Sequence, residues 1–306
     1  MNWRDNPKVI GAFVISVAAI LWGLDGVVLT PRLYNLDVAF VVFMLHFVPF
    51  VLMQPFLFSR YRYLARFTRN DWFYFGLVAL FGGAIGTLAI VKALFLVNFD
   101  SLSVIVLLQK LQPVFAIILA SIILKEKIKK HFLLWAGLAI VAGYFLTFGF
   151  ALPNFSGDAD YVSAAFYALL AAFSFGSATV FGKKVLQKFD FKTATFYRFG
   201  LTSLIMLVYV AFTGALFTQF PVVTPENWLL FLVIAVTTGS GAIFIYYYGL
   251  TRVKASVSTI CELFFPVSAV FFDYIFNGHV LSLLQWIAAI VMVAAVLKIT
   301  RDNAKA

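Results

Sequence analysis

Ten apolar runs, parted by short loops, fill most of this chain. They lie near 9–29, 38–58, 72–96, 101–124, 132–150, 161–182, 193–213, 228–250, 255–277 and 280–299. A helix needs about 20 predominantly apolar residues to cross a bilayer, so each run is long enough to span one. Composition agrees: of 306 residues 63% are hydrophobic and 12% charged, where soluble domains carry about 45–50% and roughly 25%. Folding in water would leave too much apolar surface exposed. Lipid also dictates the secondary structure, because every backbone polar group must be satisfied within its own segment. The alternating pattern of a transmembrane β-barrel is absent. The expectation is an all-α integral membrane protein of ten transmembrane helices. That excludes a DNA-binding factor, a cytosolic enzyme and a receptor with a large ectodomain. The first run, Val9–Leu29, is also longer than a signal-peptide core.

The net charge of +10 reads as membrane topology rather than nucleic-acid binding. Taking loops and termini alternately, one side holds nineteen Lys and Arg and the other holds only Arg32. The positive-inside rule puts the richer side, with both N- and C-termini, in the cytoplasm. The location expected is the cell inner (plasma) membrane, multi-pass, with the lipid bilayer as a partner and no nucleic acid.

Sliding the chain on itself by 153 residues sets Trp22-Gly23 on Phe175-Gly176, Asp37 on Asp190, Gly86 on Gly239 and Pro113 on Pro266. Two five-helix repeats are expected, 1–152 and 153–306. Five is odd, so the second half enters the membrane inverted. Inverted repeats place a substrate site near the midplane between the halves and provide alternating access.

Ten spans, the five-plus-five repeat and short loops resemble the drug/metabolite transporter (DMT) superfamily, specifically its EamA-type exporters. Ala18-Ala19-Ile20-Leu21-Trp22-Gly23 opens the first repeat. Leu111-Gln112-Pro113-Val114-Phe115, followed by Leu124-Lys125-Glu126-Lys127, is similar to the family's fourth-span proline and helix-ending Gly-Glu-Arg. Lys125 stands in place of the glycine, and the second repeat reads Asn277-Gly278-His279. The resemblance implies an exporter of small metabolites, with aromatic amino acid exporters as relatives.

Ionisable groups inside a membrane need a partner, water or a purpose. Asp25 and Lys92 fall in the outer half, Arg198 and Glu262 in the inner half, which suggests one ion pair on each side of the midplane. Arg198 also has a stem long enough to snorkel to the interface. In span 4, Gln109, Gln112 and Pro113 share one helix face, while Lys110 points elsewhere. Pro113 and Pro266 lack an N–H, so they are expected to free the carbonyls of Gln109 and Glu262 and to act as hinges. Ser258, Glu262, Pro266, Ala269 and Asp273 form a stripe along span 9. Trp22 sits deep in span 1, and among Tyr246, Tyr247 and Tyr248 at least one must face inward. His46 reads as a histidine that bonds a neighbouring helix.

The substrate-binding set expected is therefore Trp22, Asp25, Lys92, Gln109, Lys110, Gln112, Tyr246, Tyr247 and Glu262. Lys92 or Lys110 would hold a carboxylate, Glu262 an amine or a coupling proton, and the aromatics an apolar body. This describes a secondary transporter exporting an amino acid, possibly aromatic, by alternating access. The alternative on the same fold is a cationic drug or a nucleobase or vitamin-like metabolite. An integral-membrane enzyme or a channel is more remote, since no catalytic cluster and no continuous polar lining are present. No cofactor or metal is expected, because Cys261, His131 and His279 have no metal-ligand spacing. The expected form is a monomer with a small-molecule substrate and possible proton coupling.

Overall fold

A computed structural model describes residues 6–96, 108–109, 111–150, 159–278, 280 and 282–305. Every regular element among them is helical. In chain order the membrane segments are α1 (Pro7–Leu33), α2 (Val38–Leu57), α3 (Arg69–Leu96), α4 (Gln112–Ile123), α5 (Lys130–Phe148), α6 (Val162–Leu186), α7 (Phe191–Phe212), α8 (Pro225–Leu250), α9 (Ala255–Asn277) and α10 (Leu283–Lys305). All but α4 are long and apolar enough to cross a membrane. The expected fourth span begins at 101, and its residues 101–107 lie outside the described residues, as do the expected repeat junction at 152/153 and Lys110.

Short polar side chains start several helices by accepting from first-turn N–H groups. Asp37 accepts from Ala39 and Phe40 ahead of α2. Thr68 and Asp71 form a capping box on α3, and Thr224 and Asn227 form one on α8. Large apolar side chains such as Phe56 and Phe212 are 82% and 91% exposed, as a lipid-facing surface demands. Trp72 and Trp228 are half-exposed at the starts of α3 and α8, where interfacial anchors belong. The Asn6 side-chain amide donates to the Ala304 carbonyl, and Lys8 Nζ to that of Asn303. The first and last helices therefore have their chain-terminal ends on one side, as an even number of spans requires.

The repeat is visible in packing. A Cβ on Gly23 would lie 2.9 Å from Ala269 N and 3.0 Å from Phe265 O. One on Gly176 would lie 3.1 Å from Ala116 N and 2.8 Å from Gln112 O. Every partner is offset by 153 residues, so α1 crosses α9 as α6 crosses α4. Asp190 caps α7 through Thr193 N–H as Asp37 caps α2. Across the molecule, Asn35 bonds Asn227 on one side, while Lys188 bonds Asp71 on the other.

Candidate substrate-binding site

Three helices carry a π turn where they meet the centre of the bundle: Asp25–Leu29 in α1, Val78–Ile85 in α3 and Ala235–Gly239 in α8. Such turns are frequent at functional sites because they re-aim side chains and loosen the carbonyl ladder. Gly86 and Gly239 follow from this geometry. A Cβ at either would stand 2.5 Å and 2.9 Å, respectively, from the carbonyl five residues earlier.

Between these turns lies a cavity of about 270 Å³, near the small end of the usual ligand-pocket range of about 300–1,000 Å³. Its walls are largely apolar and aromatic: Trp22, Phe175, Phe199, Tyr246 and Phe265 line it. Trp22 and Tyr246 face each other with ring centroids 5.3 Å apart. On α3, Thr87, Ile90, Val91 and Leu94 form the lining stripe, and on α9 Thr259, Glu262, Leu263, Pro266 and Ala269 do so.

Glu262 is the polar centre. Its carboxylate accepts from Tyr246 OH at 2.9 Å, Ser258 Oγ at 3.1 Å and the Gln112 amide. Tyr246 OH also shares a hydrogen with Thr179 Oγ1. Four helices, α4, α6, α8 and α9, thus converge on one carboxylate. Asp25 is a second acceptor, receiving Thr30 Oγ1 at 3.1 Å and Thr238 Oγ1 at 3.0 Å.

The expected ion pairs do not form. Asp25 is held by hydroxyls and not by Lys92, which is exposed on α3 outside the cavity. Lys92 falls off the 87, 90, 91, 94 stripe, about 100° per residue around the helix. Glu262 is likewise held by hydroxyls and an amide, not by Arg198. Tyr247 lies behind the lining, buried, where its hydroxyl accepts from Arg198 Nη1. Tyr248 stacks under Arg252, whose guanidinium carbon is 3.5 Å from the ring centroid. Trp22, Asp25, Gln109, Gln112, Tyr246, Glu262, Pro113 and Pro266 all line the cavity. Asp273 lies beyond it and accepts from Asn277. The Glu262 carbonyl is not free either: Phe265 N–H takes it at 2.9 Å. The helix breaks nonetheless at Glu262–Leu263, and its repeat mate breaks at Leu111.

Two lining residues were read otherwise from the sequence. Arg198 does not snorkel; it is buried against the cavity wall. His46 also lines the cavity, with Nδ1 on the Val42 carbonyl at 2.9 Å. The histidine bonds within its own helix rather than to a neighbouring one, and its exposure to the cavity has no signal in the sequence.

The cavity occupies the half of the bundle away from the termini, between the far ends of α1 and α3. The other end is tied shut. Glu126, after α4, accepts from the Ala255 and Ser256 N–H groups and the Ser256 hydroxyl at the start of α9. Lys183 donates to the Leu250 carbonyl, and Arg60 pairs with Asp190.

The EamA-like transporter family model matches residues 9–148 and again 162–301. The chain belongs to that family. The double match repeats the two halves seen in the packing. The riboflavin transporter ImpX of Fusobacterium nucleatum is 54% identical to this EamA-like chain over 301 residues, covering 98% of this chain and 100% of that one. An uncharacterized transporter of Synechocystis, sll1164, is 26% identical over 255 residues, 79% of this chain and 69% of that one. A solved crystal structure shares the fold, with TM-score 0.69 over 96% of this chain and 98% of that one, at 16% identity. This EamA-like protein is a membrane transporter and not an enzyme; its many apolar spans accord with the inner membrane.

Proposed function

We propose that this transporter carries riboflavin, or a flavin close to it, by alternating access between two inverted halves, 1–152 and 153–306. The observation that carries the reading is the 54% identity to a riboflavin transporter across essentially both full chains. The cavity supports it. Trp22 and Tyr246 offer aromatic faces to a flat ring system, while Gln109, Gln112, Glu262 and Asp25 offer polar partners to hydroxyls and ring heteroatoms. The amino-acid cargo rested on Lys92 and Lys110 as carboxylate holders; Lys92 stands outside the cavity, and the vitamin-like alternative takes its place. Pro113 and Pro266 stand just past the two repeat-related breaks and serve as the hinges. The working unit proposed is a monomer.

The test is riboflavin uptake into proteoliposomes, with and without a pH gradient. Saturable uptake, competed by unlabelled flavins and untouched by aromatic amino acids, is expected. Stacking on an aromatic side chain is worth about 1–3 kcal/mol, so Trp22→Ala should raise the riboflavin Kd roughly 5- to 150-fold. A gradient that accelerates uptake in the parent protein but not in Glu262→Gln would establish proton coupling at that carboxylate. Uptake no greater than in protein-free liposomes would sink the flavin reading.

A further inference from the structure

Arg198 is a buried charge that the reading above leaves unused. It rises from α7 into the cavity wall with 8% of its surface exposed. Nη2 donates to the Gly82 carbonyl at 2.8 Å and Nη1 to the Tyr247 hydroxyl at 3.2 Å. The Tyr247 ring centroid is 5.7 Å from the guanidinium carbon. Nε has no acceptor. All of these partners are neutral, and no carboxylate among the described residues pairs with it. A guanidinium carries five N–H donors and stays charged, and burying it unpaired is costly.

The seat is built for it. A Cβ on Gly82 would stand 2.8 Å from Ala178 Cβ and 3.2 Å from both Cζ and Nη2, so a glycine there gives the guanidinium close, unhindered approach to the α3 backbone. The other titratable groups of the cavity come from different walls: Asp25 from α1, His46 from α2 and Glu262 from α9. Asp25 and Glu262 are acceptors, and they are bonded to hydroxyls and an amide rather than to Arg198. The cavity therefore has a donor wall at α7 and acceptor walls at α1 and α9. Its complement is a ligand with electron-rich carbonyls at one end and hydroxyl donors at the other.

A flavin has that polarity. The pyrimidinedione edge of its ring carries two carbonyls, and its ribityl chain carries hydroxyls. Resting on the flavin reading, we propose that Arg198 is the specificity-determining residue that receives the pyrimidinedione carbonyl edge, with the ribityl hydroxyls directed to Glu262 and Asp25. The planar guanidinium fixes the direction of its remaining N–H donors toward a carbonyl of this edge, which a freely rotating ammonium does not reproduce.

The experiment is equilibrium binding by quenching of flavin fluorescence, using full-length protein in nanodiscs. Three probes are compared: riboflavin; lumiflavin, which keeps the dione edge and lacks the chain; and 3-methylriboflavin, which crowds the edge. In the parent protein 3-methylriboflavin should bind at least about tenfold more weakly than riboflavin. Arg198→Lys should weaken riboflavin and lumiflavin alike by about tenfold or more, and bring riboflavin and 3-methylriboflavin within about twofold of each other. Equal binding of riboflavin and 3-methylriboflavin by the parent protein overturns the assignment whatever the variants do. So does an undiminished preference in folded Arg198→Lys or Arg198→Met. Either result leaves flavin transport standing, whereas a parent protein that binds none of the three probes removes both readings.

Discussion

Lys125 and Gly278 hold left-handed backbone at φ 54° and φ 74°, one after α4 and the other after α9, and they are 153 residues apart. A left-handed conformation costs an L-residue roughly 1–2 kcal/mol that glycine is spared. The lysine that interrupts the family-like Gly-Glu-Arg is thus strained, and its repeat mate is not. Lys125→Gly should raise the melting temperature in detergent, net of about 0.4–1 kcal/mol of added chain entropy in the unfolded state. Gly278→Ala should lower it. A fall in both would mean the left-handed turn is not what these positions share. At this scale the sequence told residue type well and direction poorly. Glu262, Gln112 and Trp22 could be picked out as costly or unusual side chains, and all line the cavity. Lys92 was equally costly, yet it sits off the Thr87–Leu94 stripe. A π turn upstream, at Val78–Ile85, shifts that helix's phase by an amount no periodicity count contains.

At the scale of elements, helix starts were the legible part. The apolar runs at 38–58 and 193–213 locate α2 and α7 from sequence alone, and Asp37 and Asp190, set on each other by the repeat, prove to cap them. The break at Glu262–Leu263 lies just before Pro266, where a hinge was expected; what stayed hidden were the π turns. They arise from how carbonyls are shared between turns, not from residue type. The Asp190 cap has a measurable electrostatic signature. Burial alone would push its carboxyl up, but the Thr193 N–H and hydroxyl and the Arg60 guanidinium outweigh it and hold it below the usual carboxylate range. A group whose acidity is strengthened by folding stabilises the fold above its unfolded pKa, about 3.9, and stops doing so as pH falls through the folded value. Asp190→Ala should therefore cost about 0.5–2 kcal/mol at pH 7. Asp190→Asn should cost less, since an amide oxygen still caps and a half-exposed ion pair is worth only about 0–1 kcal/mol. The gap between wild type and Asp190→Asn should close below about pH 4. A gap that is constant from pH 3 to pH 7 would show that the carboxylate charge contributes nothing.

For the whole molecule the useful contrast is between its two ends. At the end away from the termini, the segments leading into α2 and α8 meet through neutral amides, Asn35 with Asn227 and Gln219 with the Asp37 backbone. At the end with the termini the equivalent junctions are ionic, Lys188 with Asp71 and Arg60 with Asp190. There the N-terminus of α9 is also plugged by the Glu126 carboxylate. A carboxylate on the N–H groups of a helix start is a charge-assisted contact roughly twice as strong as a neutral one. Alternating access requires that this end open while the cavity end closes, and the α4–α9 tie must then let go. Glu126→Ala should shift the population toward the state open at the termini. Ala255, buried beside that plug, provides the reporter. In a background where the buried Cys261 is replaced by serine, Ala255→Cys should react slowly with a membrane-impermeant maleimide. Adding Glu126→Ala should speed the reaction several-fold, roughly the factor that 1–3 kcal/mol of lost charged hydrogen bonding allows. The acceleration should appear in inverted vesicles and not in right-side-out ones. This outcome would fix the orientation read from nineteen basic residues against one, and acceleration from the opposite side would reverse it.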